Sequence, residues 1–556
     1  MEHYSHKKLI GILVLISFFL LMFGNHIISL THPDEVFYIE TAKEMVKYNS
    51  WLTPMIFDEP QFEKPILAYA LFALAIKFFG LTPFVARFFP ALFGMLGVGV
   101  MYWIAWGLFR QKRTAFLSGF MMGSCFIYMA LSRAVLTDMI FSVLIAISLG
   151  FFVWAYYDQK YVNRRLFFCF VFSALAVMTK GLLGVVFPAA TIFIFLITQR
   201  DLGFMARKGS LWGLLGFLII AVPWHVLMYM NHGQWFIDEY FLNVHVRRLT
   251  DAEHSRLDNW YFYIVLMFVG VLPWSFFWIP AVKRIYRQFK EKAVNFDKTV
   301  FLLSWIAGVY LFTQPAHSKL ASYVFPAFFT IILLLADYLN AALKDFEHTK
   351  RARALTLCGY AFIVLIFVAA VGGITAGIIY KSIVVNLFPI YLYAAILFTV
   401  AVLIFVFNKK QQYVKMIFSY AGVSVGLLSM LFFAKPYAEP WVSCIDISRS
   451  LKKIDQSDTV VLASKFYVRG VRFYTDRKMA VIDINGKGFF SPHPIPFFDF
   501  DYKVYDFLES QPVTYAVVKE GDRLDLERII RERPYTMEEL DYIGGKYIIK
   551  LQRNDK

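Results

Sequence analysis

The sequence predicts an α-helical membrane protein that crosses the bilayer about thirteen times and carries a small α/β domain at its C-terminal end. Three observations predict it: long apolar runs, basic segments at regular intervals between them, and a change of character after residue 434. Hydrophobic residues make up 59% of the 556 residues and charged residues 17%, where a soluble domain needs about 25% charged residues to cover its surface. Mean hydropathy is +0.56. Residues 9–30, 211–230 and 363–380 are each near the roughly 20 residues a helix needs to cross the hydrocarbon core. Lipid cannot satisfy stray backbone groups, so helices are preferred, and the alternation of barrel strands is absent. This composition excludes an ordinary soluble enzyme.

The net charge of +16 does not point to nucleic acid. In a membrane protein it reflects Lys and Arg retained in cytoplasmic loops. Cys125, Cys169, Cys358 and Cys444 form no close-spaced pair, so neither a disulfide nor a zinc knuckle is expected in the tail. The basic start followed by a long apolar run resembles a signal peptide. No small-residue cleavage site follows, which predicts an uncleaved first span.

The basic segments 110–113, 158–165, 199–208, 282–298, 343–353 and 408–415 are separated by two spans each. They therefore share one side with His6-Lys7-Lys8, and the positive-inside tendency makes that side the cytoplasm. Residues 66–80 break this parity if they cross. The run is about 15 residues long, follows Pro65 and contains Lys77, which predicts a juxtamembrane helix on the outer surface. The reading thus gives a membrane domain over residues 1–434, with external loops at about 29–85 and 231–259, and an extracytoplasmic domain over 435–556. In that tail, 459–463, 479–484, 515–518 and 547–551 read as strands and 524–532 as a helix.

With the sides assigned, ionisable residues at the outer membrane face become candidates for a functional cavity. They are Asp34 and Glu35 after the first span, Glu63 and Lys64 before the surface helix, Arg133 and Asp138, Lys180, Arg247, Arg248 and His254 in the second loop, and Lys319 with Tyr323. A lipid phosphate is a natural partner for cations gathered there, and a nearby carboxylate would serve as base or steer a nucleophile. Each residue also has a plainer reading. Asp34 or Glu35 would cap the following helix, Lys180 and Lys319 would snorkel, and Arg133 and Asp138 would form a structural ion pair. His254 would be a solvated loop histidine. Trp224, Trp260 and Tyr261 would belong to the interfacial belt.

The same residues carry a family resemblance. The chain resembles the lipid-linked-sugar glycosyltransferases that include bacterial aminoarabinose transferase and the protein O-mannosyltransferases. The matching pieces are Asp34-Glu35 with Tyr38, Phe62-Glu63-Lys64-Pro65, Arg133 with Leu136 and Asp138, and Thr179-Lys180-Gly181. Asn243 to Arg248, His254 with Trp260-Tyr261, and Lys319-Leu320 with Tyr323 and Pro326 follow in the family's order. The resemblance implies a GT-C-type fold, an external active site and inverting transfer from a polyprenyl (undecaprenyl) phosphate donor. Asp34 would then be the principal catalytic carboxylate, beside Glu35 and with Asp138 as a second acid. Lys64 and Arg133 would hold the donor phosphate, joined by Lys180, Arg247, Arg248, Lys319, Tyr38 and Tyr323. Glu63 and His254 would be a ligand pair for a divalent metal, and a mixed carboxylate–imidazole site suits zinc. Departures at Phe37, Ile66 and Leu257 concern the particular sugar and acceptor rather than the reaction class.

The resemblance favours aminoarabinose and lipid A in the bacterial inner membrane, with a protein O-mannosyltransferase-like or other glycolipid reaction as the alternative. Two readings from other classes stand beside it, a lipid or solute flippase and a non-catalytic scaffold. Transporters concentrate ionisable groups near the midplane, whereas these lie at span ends.

Overall fold

The computed structural model describes residues 3–247, 259–291, 293, 296–344, 349–380, 386–489 and 494–554. The chain divides into two compact units.

The first unit comprises Met1–Asn25, Phe62–Leu71 and Arg87–Phe433 and is helical. Among the described residues nine helices are long and apolar enough to cross a membrane, or ten if the bent pair Lys112–Gly123 and Phe126–Ser132 is one span. The multi-span helical fold is as expected, but the count of about thirteen is not confirmed. Some apolar runs give shorter helices, and the first shows why. The run 9–30 forms a helix from His6 only to Met22, closing with a π-helical turn over Phe18–Met22. Gly24 then turns the backbone at φ 79°. Arg133 Nη1 donates to the Leu20 and Phe23 carbonyls at 3.2 and 2.9 Å, and Arg87 Nη1 donates to the Asn25 carbonyl at 2.9 Å. Arginines from elsewhere in the unit thus cap carbonyls that a longer helix would have satisfied itself.

Thr137–Asp158 and Pro326–Lys344 are 83% and 89% buried within the fold, against 17% for Ala352–Ile379 and Phe388–Lys409. The former are central; the latter leave an apolar surface for lipid. Central helices approach closely through small residues. A Cβ on Gly150 would lie 2.3 Å from the Trp103 ring. One on Gly184 would lie 2.3 Å from the backbone nitrogen of Val177, where Leu183–Gln199 folds back on Val162–Lys180.

The second unit comprises His26–Gln61, Phe72–Ala86 and Ala434–Lys556. Its first part is the helix Asp34–Lys47 and a small hairpin of β1 (Met55–Ile56) and β2 (Glu59–Pro60). The tail builds a six-stranded sheet from β3 (Val461–Ser464), β4 (Met479–Ile482), β5 (Phe497–Phe498), β6 (Val513–Val518), β7 (Tyr535–Ile543) and β8 (Lys546–Arg553), in the order β5-β4-β3-β6-β8-β7. Strands β5, β4, β3 and β6 are parallel; β8 is antiparallel to both β6 and β7. Leu462, Ala480, Ile482, Ala516, Val518, Ile549 and Leu551 from the sheet meet Val504, Leu508, Leu526 and Ile529 from two helices in one core. The expected strands and the helix (Glu520–Ile530) are present. Strands β5 and β7 are additional to them: β5 has two residues, and β7 carries Glu538, Glu539 and Asp541, which hide its alternation.

The helix that begins after Pro65 runs Ile66–Phe79, 14 residues, and its Lys77 ammonium lies 4.8 Å from the centre of the Trp51 ring.

Gly184→Ala is expected to lower the thermal unfolding midpoint of the detergent-solubilised protein, at a cost of ~1–3 kcal/mol, because the added methyl meets backbone. Gly99, also helical but with open space within 4 Å of where a Cβ would stand, should tolerate alanine without loss.

Candidate active site

Two consecutive helices of the first unit create the charged centre. Thr137–Asp158 and Val162–Lys180 are joined by residues 159–161, with Gln159 and Tyr161 in the left-handed region. A link this short makes the helices antiparallel neighbours, so the start of one and the end of the other share a level. Asp138 in the first turn and Lys180 in the last turn suit the respective helix dipoles, and they meet as a hydrogen-bonded ion pair. Their side chains are only 6% and 8% exposed.

Further groups close on the pair. Ser322 hydrogen-bonds Asp138, and Lys64 is close enough to act on it electrostatically. The Lys180 ammonium lies 5.0 Å from the Tyr323 ring centre and 5.6 Å from that of Phe141. Lys319, in the same short segment as Ser322 and Tyr323, is buried. Lys64 is held by its neighbours in sequence: Phe62 is buried with Met178, Trp224, Met228, Phe236 and Tyr240, and Pro65 leads into the next helix. The Lys64 Nζ stands 3.5 Å from Glu63 Oε1. Segments far apart in sequence thus bring together Lys64, Asp138, Lys180 and Tyr323. Ser322 joins them without having been singled out; a hydroxyl between Lys319 and Tyr323 carries no signal until its neighbour is known.

Arg133 is otherwise engaged. Its ion pair with Asp138 does not form, because Asp138 takes Lys180 and Arg133 caps the end of the first helix. Arg87, which nothing in the sequence singles out, lies beside it and caps the same chain segment. Arg247 is exposed and donates to Asn243 Oδ1 at 3.3 Å. Arg248 and His254 lie outside the described residues.

The first-loop acids lie in the second unit. Asp34 is exposed in the opening turn of Asp34–Lys47. Glu35 is buried, and its Oε2 accepts from the Thr31 N–H and hydroxyl, each at 2.9 Å. These bonds go to Thr31, ahead of the helix, and not to the helix's own N–H groups, so Glu35 ties the helix start to the preceding chain rather than capping it. Tyr38 is buried, its ring 5.3 Å from that of Phe37. Farther along the helix, burial pushes the Glu40 carboxyl up to about 7; Lys43 and Arg472 oppose the shift, while Glu44 and Asp476 add to it. Burial also lowers His32 to about 4, with Lys546 contributing, so that imidazole is neutral near pH 7.

As to a metal, Glu63 leans on the Lys64 ammonium, and its expected co-ligand His254 is not among the described residues. Within those residues no three His, Cys, Asp or Glu side chains gather as a metal ion would require.

Known proteins share this architecture. A family model described as dolichyl-phosphate-mannose-protein mannosyltransferase matches residues 8–234. An uncharacterized protein of Aquifex aeolicus is 26% identical over 499 residues, which is 87% of this chain and 92% of that protein. Undecaprenyl phosphate-alpha-4-amino-4-deoxy-L-arabinose arabinosyl transferase 1 of Proteus mirabilis is 27% identical, and its Shewanella sediminis counterpart 29%. The alignments cover 60% and 62% of this chain, and 59% and 61% of those proteins. Among solved structures, ArnT of Cupriavidus metallidurans bound to undecaprenyl phosphate superposes with a TM-score of 0.76 at 19% identity, covering 98% of both chains. The archaeal oligosaccharyltransferase AglB of Archaeoglobus fulgidus superposes at 0.52 and 13% identity, over 95% of this chain and 71% of AglB.

The fold is that of the multi-span GT-C membrane glycosyltransferases. Within that class, the chain is similar to the aminoarabinose transferases, and its residues 8–234 match the protein mannosyltransferase model.

These charges can be tested by substitution. Lys180→Ala should destabilise the protein by ~3–5 kcal/mol, because it strands a buried carboxylate. Asp138→Asn combined with Lys180→Met should recover much of that loss in a thermal unfolding series. For Glu40, a raised carboxyl stabilises the fold fully below its ordinary value of 4.5 and loses that contribution as pH rises through about 7. Amide exchange of Asp34–Lys47, corrected for intrinsic rate, should therefore speed up between about pH 5 and 8, and Glu40→Gln should flatten that rise.

Proposed function

We propose that the chain moves a sugar, with inversion, from a polyprenyl (undecaprenyl) phosphate donor to an envelope acceptor on the outer face of the bacterial inner membrane. The observation that carries this reading is the buried charged cluster, in which Lys64 and Lys180 both act on Asp138 and Lys319 is buried three residues before Ser322. Ammonium groups buried among apolar helices suit an anion that arrives within the bilayer, and a lipid phosphate is such an anion. The likeness to arabinosyl transferases whose name specifies undecaprenyl phosphate, and to an ArnT structure bound to undecaprenyl phosphate, supports the same donor. The chain matches about three-fifths of those transferases' length.

In this mechanism the acceptor oxygen attacks the anomeric carbon as the bond to the donor phosphate breaks. The leaving polyprenyl phosphate keeps the electron pair, and the lysines, with Arg133, Arg247, Arg248, Tyr38 and Tyr323 as further candidates, counter its charge. Asp34, exposed at a helix start, takes the proton of a hydroxyl acceptor or orients an acceptor that is already anionic. Asp138 keeps Lys180 in place, and Glu35 secures the Asp34 turn. A zinc ion, if one binds, would use Glu63 and His254. The Lys64 ammonium beside Glu63 opposes a cation there, so no step runs through a metal.

Aminoarabinose is the sugar and lipid A the acceptor in our first reading. The match to the protein mannosyltransferase model favours one second reading, a protein acceptor. The basic segments put the N-terminus in the cytoplasm and the C-terminal domain in the periplasm.

Asp34→Ala should lower transfer of labelled sugar from a polyprenyl-phosphate donor by ~10²–10⁴-fold, with unchanged amounts of protein in the membrane. Full activity in that variant removes Asp34 from the mechanism.

A further inference from the structure

The part of the first loop that carries Asp34 folds together with the C-terminal domain in one unit, and its contacts with that domain fall at three places. Ahead of the helix, the Ser443 and Tyr474 hydroxyls both donate to the Leu30 carbonyl, at 2.9 and 3.1 Å. The Ser29 N–H donates to Glu439 Oε1 at 2.7 Å, and the His32 N–H to the Val442 carbonyl at 3.1 Å. Along the helix, Lys43 Nζ reaches Asp476 Oδ1 at 2.5 Å, and the Arg469 guanidinium lies 4.6 Å from the Phe37 ring centre.

Behind the helix comes a strained turn. Phe57 and Asp58, between β1 and β2, have φ of 55° and 68°, a region that costs energy for any residue with a Cβ. Two groups hold them there. Glu44 accepts both backbone N–H groups at 2.9 Å. Arg472 Nη2 donates to Asp58 Oδ2 at 2.9 Å, and its guanidinium lies 4.9 Å from the Phe57 ring centre.

Arg469, Arg472 and Asp476 stand at i, i+3 and i+7 along Val468–Thr475 and the residue after it, so they form one stripe on one face. None of these residues, nor Ser443 or Tyr474, belongs to the core between the sheet and its helices. Within the domain, Arg472 also donates to the Arg477 carbonyl at 3.3 Å, and the Ser443 hydroxyl accepts from the Ile445 N–H at 3.3 Å.

We propose that the C-terminal domain is a positioning clamp for the transferase, in which Arg472, with Asp476, Ser443 and Tyr474, holds the Asp34 helix and the turn behind it in one register. The proposal rests on the reading of Asp34 given above. A helix of 14 residues is marginal by itself in water, and a carboxylate that must meet an anomeric carbon needs a fixed position. Misplacement by about 1 Å costs on the order of 10²-fold in rate. Arg472 is a positioning residue; it acts on the reaction only through the segment it holds.

The test uses the full-length protein and two readouts, sugar transfer from a polyprenyl-phosphate donor and amide exchange over residues 30–60. Arg472→Gln should raise exchange in that stretch and lower kcat by about tenfold or more, with the donor KM within about twofold. Exchange in β3, β4 and β6 should stay as in the wild type. Arg472→Lys keeps the charge and should restore most of kcat. Asp476→Asn gives the same pattern more weakly and guards against a misfolded Arg472 variant, since Asp476 is exposed with φ 58°, a conformation that asparagine accepts. Faster exchange with wild-type kcat overturns the clamp, as does reduced kcat with unchanged exchange. Absence of transfer by the wild-type protein overturns the functional reading and the clamp's purpose together. Transfer by the wild type that Arg472→Gln leaves intact overturns the clamp alone.

Discussion

A carboxylate and an ammonium buried together among apolar helices constrain the first unit more than any other contact. Each alone would be costly at that depth. Together they are tolerable only if Thr137–Asp158 and Val162–Lys180 stay antiparallel and level, which the three-residue link and its two left-handed residues enforce. The Ser148 hydroxyl serves the same end: it donates to the Cys169 carbonyl at 2.7 Å and ties the two helices to each other. Lys64, Ser322 and Tyr323 then gather around a fixed pair. The resulting centre places two ammonium groups, of Lys64 and Lys180, beside Asp138.

The second unit solves a different problem. Its charges are partly wet, and they order a helix and a turn rather than a cavity. Glu44 satisfies two N–H groups of a turn that Phe57 and Asp58 adopt against their intrinsic preference, and Arg472 ties that turn to the tail. Strain held by side chains from two directions is common where function needs one geometry and no other. Glu40, with its carboxyl raised to about 7, lies in the same network and makes its electrostatics sensitive to pH near neutrality.

Individual residues show how far a sequence can be read. Lys64, Asp138, Lys180 and Tyr323 were all legible, because a charge at the end of an apolar run has few innocent explanations when several coincide. Their partners were not. Arg133 and Asp138, five apart in sequence, looked like a pair, yet Arg133 turns to the carbonyls of the first helix and Asp138 to a lysine 42 residues away. Glu35 looked catalytic beside Asp34, and its carboxylate is occupied by Thr31. A side chain's type signals that it needs a partner; only proximity in space decides which partner it gets.

Composition and periodicity determined the membrane-spanning class, the sites of most helices, the basic segments between them and the α/β character of the tail. These follow from local rules: lipid demands helices, and strands alternate. Tertiary structure alone decided where the first helix stops, that the Asp34 segment folds with the C-terminal domain, and that β7, rich in acidic residues, completes the sheet. In each case the deciding interaction joins residues distant in sequence: Arg133 to Leu20, Arg472 to Asp58, β7 to β8. The physical reason is that a hydrogen bond or an ion pair depends on distance and direction, which residue order by itself does not specify.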